Sequence, residues 1–329
     1  MSGPSVASAH TLTIVVPVFN EEGQIAILTQ RLIGALEMLE ETWDVLFVDD
    51  GSRDFTLPRL RALAQSDSRF GAISFSRNFG KEAALAAGLR RARGDAVILM
   101  DADLQHPPEA IPLFLNAWRG GNKVVFGLRE RRIGETASRS ALSRLFYRMF
   151  QLISETSIPV GATDFVLLDR QAIDAMNAIG ERCRFSKGLY SWIGFHSASV
   201  RFSVEQRTET RSRWSLLTLG RYAQDGFASF STLPLKMWSY LGLLISASAI
   251  GYALYFVIQT LVFGADVPGF PSLIVSITFF AGVQLISLGV IGEYLSRVFE
   301  EVKARPLFVV AETIGHAEAA SKTAADSES

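Results

Sequence analysis

Thiol and metal-ligand chemistry is nearly absent from this sequence. Its 329 residues include one cysteine, Cys183, so no intrachain disulfide can form, and its four histidines lack the spacing of a zinc site. Structural metal and oxidised scaffolds are set aside. An excess of one charge is also missing: 32 lysines and arginines face 33 aspartates and glutamates, a net charge of -1. Without a global field, nucleic acid is not an expected partner, and an anionic ligand must be met by local basic clusters. No basic stretch opens the chain. Residues 1–10 carry no lysine or arginine and are expected to be a flexible terminus, and the apolar run that follows ends at once in Asn20, Glu21 and Glu22. That run is a buried strand rather than a signal peptide. A Gly-rich Walker-type loop is lacking too, so any nucleotide is held by other means.

Apolar residues are abundant. Hydrophobic types make up 49% of the chain and charged types 20%, and the mean hydropathy is +0.23, which suggests a soluble part joined to a membrane part. No charge occurs from Met237 to Ala265, and after Asp266 none occurs until Glu293. Either stretch can cross a hydrocarbon core of about 30 Å. The expected spans are 237–263 and 271–294. Their connection holds Asp266 but no lysine or arginine, whereas Lys236 precedes the pair and Arg297, Lys303 and Arg305 follow it. The positive-inside rule then leaves residues 11–235, the juxtamembrane segment 295–311 and a polar, disordered tail over 312–329 in the cytoplasm, at the inner membrane if the cell is bacterial.

Within the first part, strand-like runs over 12–19, 43–48, 70–75 and 96–100 alternate with helix-period segments over 23–39, 56–65, 81–91 and 109–118. This order predicts an α/β doubly wound domain with a largely parallel sheet. In such a sheet ligands sit beyond the carboxyl ends of the strands. Those ends are acidic here: Asn20, Glu21 and Glu22 follow the first strand, Asp49 and Asp50 the second, and Asp101 through His106 the fourth. Clustered carboxylates repel one another unless a cation or a donor-rich ligand lies between them. Asp101 and Asp103, two residues apart at a strand end, point the same way, and with the amide of Gln105 they suit magnesium or manganese bridging a substrate's phosphates.

Several segments carry a resemblance: Pro17 to Glu22 (PVFNEE), Val48 to Ser52 (VDDGS), Ser76 to Lys81 (SRNFGK), Asp101 to Pro107 (DADLQHP), Gly127 to Arg129, and Gly292 to Pro306. Together they resemble the family 2 glycosyltransferases, specifically the branch that acts on polyprenyl phosphates, with dolichyl-phosphate mannosyltransferases and bactoprenol glucosyltransferases among its members. The resemblance implies a GT-A fold followed by a two-helix transmembrane hairpin, and inverting transfer of a sugar from a nucleotide donor to the phosphate of a membrane polyprenol. Glucose from UDP-glucose and undecaprenyl phosphate are the pair it favours. Carried over, it gives Pro17, Phe19, Glu21, Asp49, Asp50, Asp101, Arg207 and Arg213 to the nucleotide sugar. Asp101, Asp103 and Gln105 go to a Mg2+ or Mn2+ ion, Arg129, Arg139 and Ser143 to the acceptor phosphate, and Asp103 and Asp164 to catalysis.

For Asp164 the readings are orientation of the acceptor, a weak base, or a salt bridge to a nearby arginine. Thr163 and Thr210 stand where the family commonly has glycine, and Arg213 where it has lysine. Residues 136–152, which interleave Arg139, Arg144 and Arg148 with Leu145, Phe146, Met149 and Phe150, and residues 214–232 are expected to be interfacial helices. The resemblance also suggests a homo-oligomer packed through the carboxyl-terminal segment. Two other functions stay open at this point: a processive polysaccharide synthase and a non-catalytic membrane scaffold on the same fold. For Ser186 to Gly188 no role beyond packing or a mobile loop is expected.

Overall fold

The structure, a computed structural model, describes residues 10–129, 159, 161–182, 184–203 and 269–317, with scattered positions between 242 and 262. The chain divides into two units, 1–219 with 306–329 and 220–305. In the first, β1 (Thr11–Val18), α1 (Glu22–Leu36), β2 (Thr42–Asp49), α2 (Thr56–Ser66), β3 (Phe70–Phe75), α3 (Lys81–Arg91) and β4 (Ala96–Leu99) alternate. A 3-10 turn at Pro108–Ala110 leads into α4 (Ile111–Arg119), and then come β5 (Val124–Arg129), β6 (Ala162–Asp169), α5 (Arg170–Ala178), α6 (Ser186–Trp192), β7 (Ser197–Phe202) and β8 (Val310–Gly315).

Eight strands form one sheet in the order β7-β5-β6-β4-β1-β2-β3-β8. β1 pairs in parallel with β2 and β4, and β2 with β3. These strands read as continuous apolar runs because both faces are covered: Ile14, Val15 and Val16 are all fully buried, as are Val97, Ile98 and Leu99. Close approach of α3 to β1 depends on Gly88, where a Cβ would lie 2.2 Å from Val15 Cγ1 in its place.

The largely parallel sheet expected from the alternation is in fact mixed. β6 runs antiparallel to both β4 and β5, and β8 runs antiparallel to β3. Hydrophobic period reveals a strand but not its direction, which the connections decide. A second correction concerns the expected disordered tail. Its residues 312–315 belong to β8, Ile314 and Ala317 are buried, and Arg61 makes two contacts with the Glu312 carboxylate at 2.6 and 2.8 Å.

The second unit contains α7 (Phe270–Lys303), closed by Ala304 in a left-handed conformation. Among the described residues, Phe279–Lys303 is the one helical stretch long and apolar enough to cross a membrane, and none of it is buried within the chain. The expected first span, 237–263, is described only at scattered positions, each of them helical, so the two-helix hairpin is not established here. Residues 136–152 and 214–232, the expected interfacial helices, lie outside the described residues.

Candidate active site

The chain runs outward from β1 through β2 to β3, then returns to place β4 on the other side of β1. The sheet's switch point therefore lies between β1 and β4, and the loops leaving those strands flank a crevice at their carboxyl ends. Three loops meet there, and backbone donors tie them together. Asn20, held at φ 54°, donates its N–H to Ser52 Oγ at 2.9 Å and accepts from the Arg53 N–H at 2.9 Å. Glu21 donates its N–H to Thr56 Oγ1 at 2.9 Å, and Glu22 accepts from the Phe55 N–H at 2.9 Å. Pro17 lies in β1 opposite Val48, and Phe19 projects from the end of that strand, 42% exposed.

Asp49 and Asp50 do different work although they are neighbours. Asp49 is wholly buried and accepts from the Ser52 N–H at 3.1 Å and from Ser74 Oγ at 2.7 Å. Asp50 accepts from the backbone N–H groups of Phe79 (2.6 Å) and Gly80 (2.9 Å), and burial raises its pKa despite those donors. It anchors the loop that delivers Lys81 at the start of α3. The turn after Asp50 requires Gly51, at φ 71°, where a Cβ would sit 2.5 Å from the Arg77 carbonyl carbon.

After β4, the Asp101–His106 loop turns tightly, with Leu104 at φ 60°. His106 fixes the start of that turn by accepting the Asp101 N–H on Nδ1 at 2.9 Å, an arrangement that leaves the neutral ring's proton on Nε2. The ring is buried and stacked on Phe165 with centroids 5.1 Å apart, and burial lowers its pKa. Asp103 accepts from the Gln105 N–H at 3.1 Å and from Gln105 Nε2 at 2.8 Å, while Gln105 Oε1 accepts from Arg129 at 2.9 Å. The nucleotide-side loop and the first expected acceptor arginine are thus joined through one amide.

Opposite this loop lies an alternating row of charges. Lys81 Nζ is 2.5 Å from Asp101 Oδ1 and 2.7 Å from Asp164 Oδ2, and Lys187 Nζ is 3.2 Å from Asp164 Oδ1. Burial works against the Asp164 carboxylate, but Lys187 and Lys81 more than offset it and hold its pKa far below the usual range. The same balance raises Lys81 above the ordinary lysine value: burial opposes the ammonium, and Asp101 and Asp164 outweigh burial. Asp164 therefore has the salt bridge expected of it, made to two lysines rather than to an arginine. The two lysines hold the carboxylate in its ionised form and make it a poorer proton acceptor.

Sequence reasoning missed Lys187, His106, Glu82 and Ser186. Ser186 donates both its N–H and its hydroxyl to Glu82, which clamps the start of α6 to the start of α3 and carries Lys187 to Asp164. No local signal marks Glu82, Ser186 or Lys187, whose partners lie far along the chain, whereas His106 acts within its own loop, on a backbone N–H that no side-chain pattern records. Thr163, noted as a departure from glycine, occupies an extended strand position. Its hydroxyl donates to the Gly127 carbonyl at 3.0 Å and accepts from the Phe165 N–H at 3.2 Å, beside the irregular pairing of β5 with β6. Of the expected site residues, Pro17, Phe19, Glu21, Asp49, Asp50, Asp101, Asp103, Gln105, Arg129 and Asp164 all belong to β1, β2, β5, β6 or the loops beyond β1, β2 and β4. Arg139, Ser143, Arg207, Arg213 and Thr210 lie outside the described residues.

The donors fit a hard divalent cation of the kind a diphosphate carries. Such an ion needs one or two protein carboxylates, with phosphate oxygens and water completing its shell. Asp101 and Asp103 supply two carboxylates on one loop. Among the described residues no group of three or more His, Cys, Asp or Glu side chains stands together to hold a metal ion.

An α/β domain with acidic loops at its switch point is the architecture of a nucleotide-sugar transferase. The family described as Glycosyl transferase family 2 matches residues 13–176. An uncharacterized glycosyltransferase of Synechocystis is 45% identical over 92% of this chain and 96% of its own length. The SfII prophage-derived bactoprenol glucosyl transferase of Shigella flexneri is 40% identical over 91% of this chain and 97% of its own. A prophage bactoprenol glucosyl transferase homolog of Escherichia coli K12 is 38% identical over 91% and 98%. The chain belongs to glycosyltransferase family 2, and it is a glycosyltransferase.

Proposed function

We propose that this enzyme moves one sugar, with glucose the first choice, from a nucleotide diphosphate donor to the phosphate of a membrane polyprenol. The observation that carries the reading is the meeting of Asp101 and Asp103 with Lys81 and Arg129 at the switch point. Relatives named bactoprenol glucosyl transferase, about 40% identical over nearly their full length, support the acceptor and the sugar. UDP is the nucleotide favoured for a glucosyl donor.

An acceptor phosphate monoester has a second pKa of about 6 and is largely dianionic at neutral pH, so it needs orientation rather than deprotonation. One of its oxygens bonds to the anomeric carbon as the bond to the donor diphosphate breaks, and the electron pair leaves with the diphosphate on the opposite side. Mg2+ or Mn2+ held by Asp101 and Asp103, with the Gln105 amide beside them, supplies neutralisation of charge on that leaving group. Phe19 and Glu21 on one loop, with Asp49 beneath, form the nucleoside side of the crevice. Arg129, with Arg139 and Ser143, is assigned to the acceptor phosphate, and Arg207 and Arg213 to the donor phosphates. Asp164, ionised and paired, keeps the lysines in place.

A two-span anchor also belongs to this reading. β8 follows α7 in the chain yet pairs with β3 in the same sheet as the catalytic loops. Both ends of the membrane segment must then emerge on one side, which supports an even number of crossings and hence a second span before α7.

The test is incubation of membranes holding the enzyme with short-chain polyprenyl phosphate, magnesium or manganese, and labelled nucleotide sugars, followed by separation of lipids. A single acid-sensitive labelled lipid, formed from one donor and lost with a chelator, is the expected outcome. Replacing Asp103 by alanine is expected to lower its formation by about a hundredfold or more. Full activity in that variant would remove Asp103 from the mechanism.

A further inference from the structure

Lys81 occupies an unusual position for a residue at the start of a helix. Its ammonium lies between Asp101, at 2.5 Å, and Asp164, at 2.7 Å, and the free side of Asp164 is taken by Lys187 at 3.2 Å. Each carboxylate therefore competes for an ammonium, and each ammonium for a carboxylate. Three separate anchors fix the row: Asp50 holds the loop before Lys81, His106 holds the backbone of Asp101, and Glu82 holds Ser186 beside Lys187.

We infer that Lys81 is a positioning residue that competes with the divalent cation for Asp101 in the donor-free enzyme, and that Asp164 and Lys187 set the strength of that competition. The inference rests on the reading of Asp101 as a cation-holding carboxylate. An ammonium on Asp101 lowers the affinity for a free cation. A cation arriving on a nucleoside diphosphate brings negative charge that engages Lys81 as it leaves Asp101, so the exchange is nearly balanced in charge. Cation and nucleotide then bind with positive coupling, and by linkage each strengthens the other equally. The arrangement disfavours a metal without a donor.

Binding of Mn2+ to the purified full-length protein in detergent tests this, read from the electron paramagnetic resonance signal of free Mn2+ with and without UDP or GDP. Wild type is expected to hold Mn2+ alone weakly and to gain affinity with the nucleotide. Lys81→Met is expected to tighten Mn2+ alone by about fivefold or more and to shrink the nucleotide's effect by the same factor. Two further variants should move in opposite directions. Among the described residues, Asp164→Asn leaves Lys81 to Asp101 alone and weakens Mn2+ binding, whereas Lys187→Met leaves Asp164 with only Lys81, draws that ammonium from Asp101 and tightens it. A folding defect would shift both the same way, and this opposed pair decides the matter even where Lys81→Met does not fold. Nucleotide-dependent Mn2+ binding that is unchanged across the variants overturns the inference while leaving the metal reading intact. No Mn2+ bound by wild type with either nucleotide overturns the metal reading and the inference together.

Discussion

Asp169, at the end of β6, illustrates how a carboxylate at a strand's end can be structural. It caps α5 by accepting the Gln171 N–H at 3.1 Å, accepts the Trp118 indole N–H at 2.8 Å, and pairs with Lys123 at 3.1 Å. Its neighbour Arg170 donates to the carbonyls of Ala92 and Gly94, closing the turn before β4. Truncation of Asp169 to alanine leaves a buried indole N–H without its acceptor, at a cost of about 2 kcal/mol. Thermal or urea unfolding checks this. The pH dependence follows from the shift: burial opposes the charge, and Trp118, Gln171 and Lys123 more than offset it to lower the pKa. The unfolded chain then binds the proton more readily. The stabilisation is complete at neutral pH and is lost as pH falls below the ordinary aspartate value of about 4, and the alanine variant should lack this part of the acid sensitivity. Asp101, Asp103 and Gln105 were legible in the sequence because carboxylates at a strand's end need a reason. Lys81 stood in a quoted motif without a role, and Lys187 had none, because their meaning comes from Asp164 across separations no local pattern records.

At the scale of elements, the alternation up to α4 was legible because each strand is buried on both faces and the helices bury apolar residues, along one side in α1 and α4 and over all of Ala83–Leu89 in α3. β8 was not. An edge strand shows the core only part of its surface, and in this strand Ile314 alone is buried while Glu312 faces Arg61, so its sequence reads as polar. Three further contacts hold it. Ser76 donates its N–H to the Val309 carbonyl at 3.0 Å, Phe308 stacks on Phe75 with centroids 5.0 Å apart, and His316 Nε2 lies 3.2 Å from the Val45 carbonyl. Shortening Ile314 to alanine should cost about 2–4 kcal/mol. Amide hydrogen exchange is the sharper measurement, because β8 and its partner β3 should lose protection while β1 and β4 keep theirs. Uniform loss across the sheet would mean that β8 is not a separable edge. β3 leads directly into the loop held by Asp50, so the same substitution is expected to lower turnover by weakening the placement of Lys81.

For the whole molecule, the pairing of β8 with β3 turns a question of hydropathy into one of parity. α7, at about 1.5 Å per residue, is roughly 50 Å long, more than a hydrocarbon core of about 30 Å, so in the proposed anchor its charged last turns, with Arg297, Glu300, Glu301 and Lys303, would extend beyond the apolar layer. Strands β1 to β7 precede α7 and β8 follows it, and one sheet holds them all. A single crossing would tear that sheet in two. The proposed two-span anchor instead puts the connection around Asp266 on the far side of the membrane from the catalytic loops. Because Cys183 is the only cysteine, its replacement by serine gives a background in which Asp266→Cys or Lys322→Cys can be introduced singly. In intact cells a membrane-impermeant maleimide should label the cysteine at 266 and spare the one at 322, with both labelled after permeabilisation. Labelling of 322 from outside, in active protein whose residues 11–203 stay protected from the same side, would contradict the sheet itself. Protection of 266 together with 322 would instead leave α7 lying along the membrane surface without crossing it.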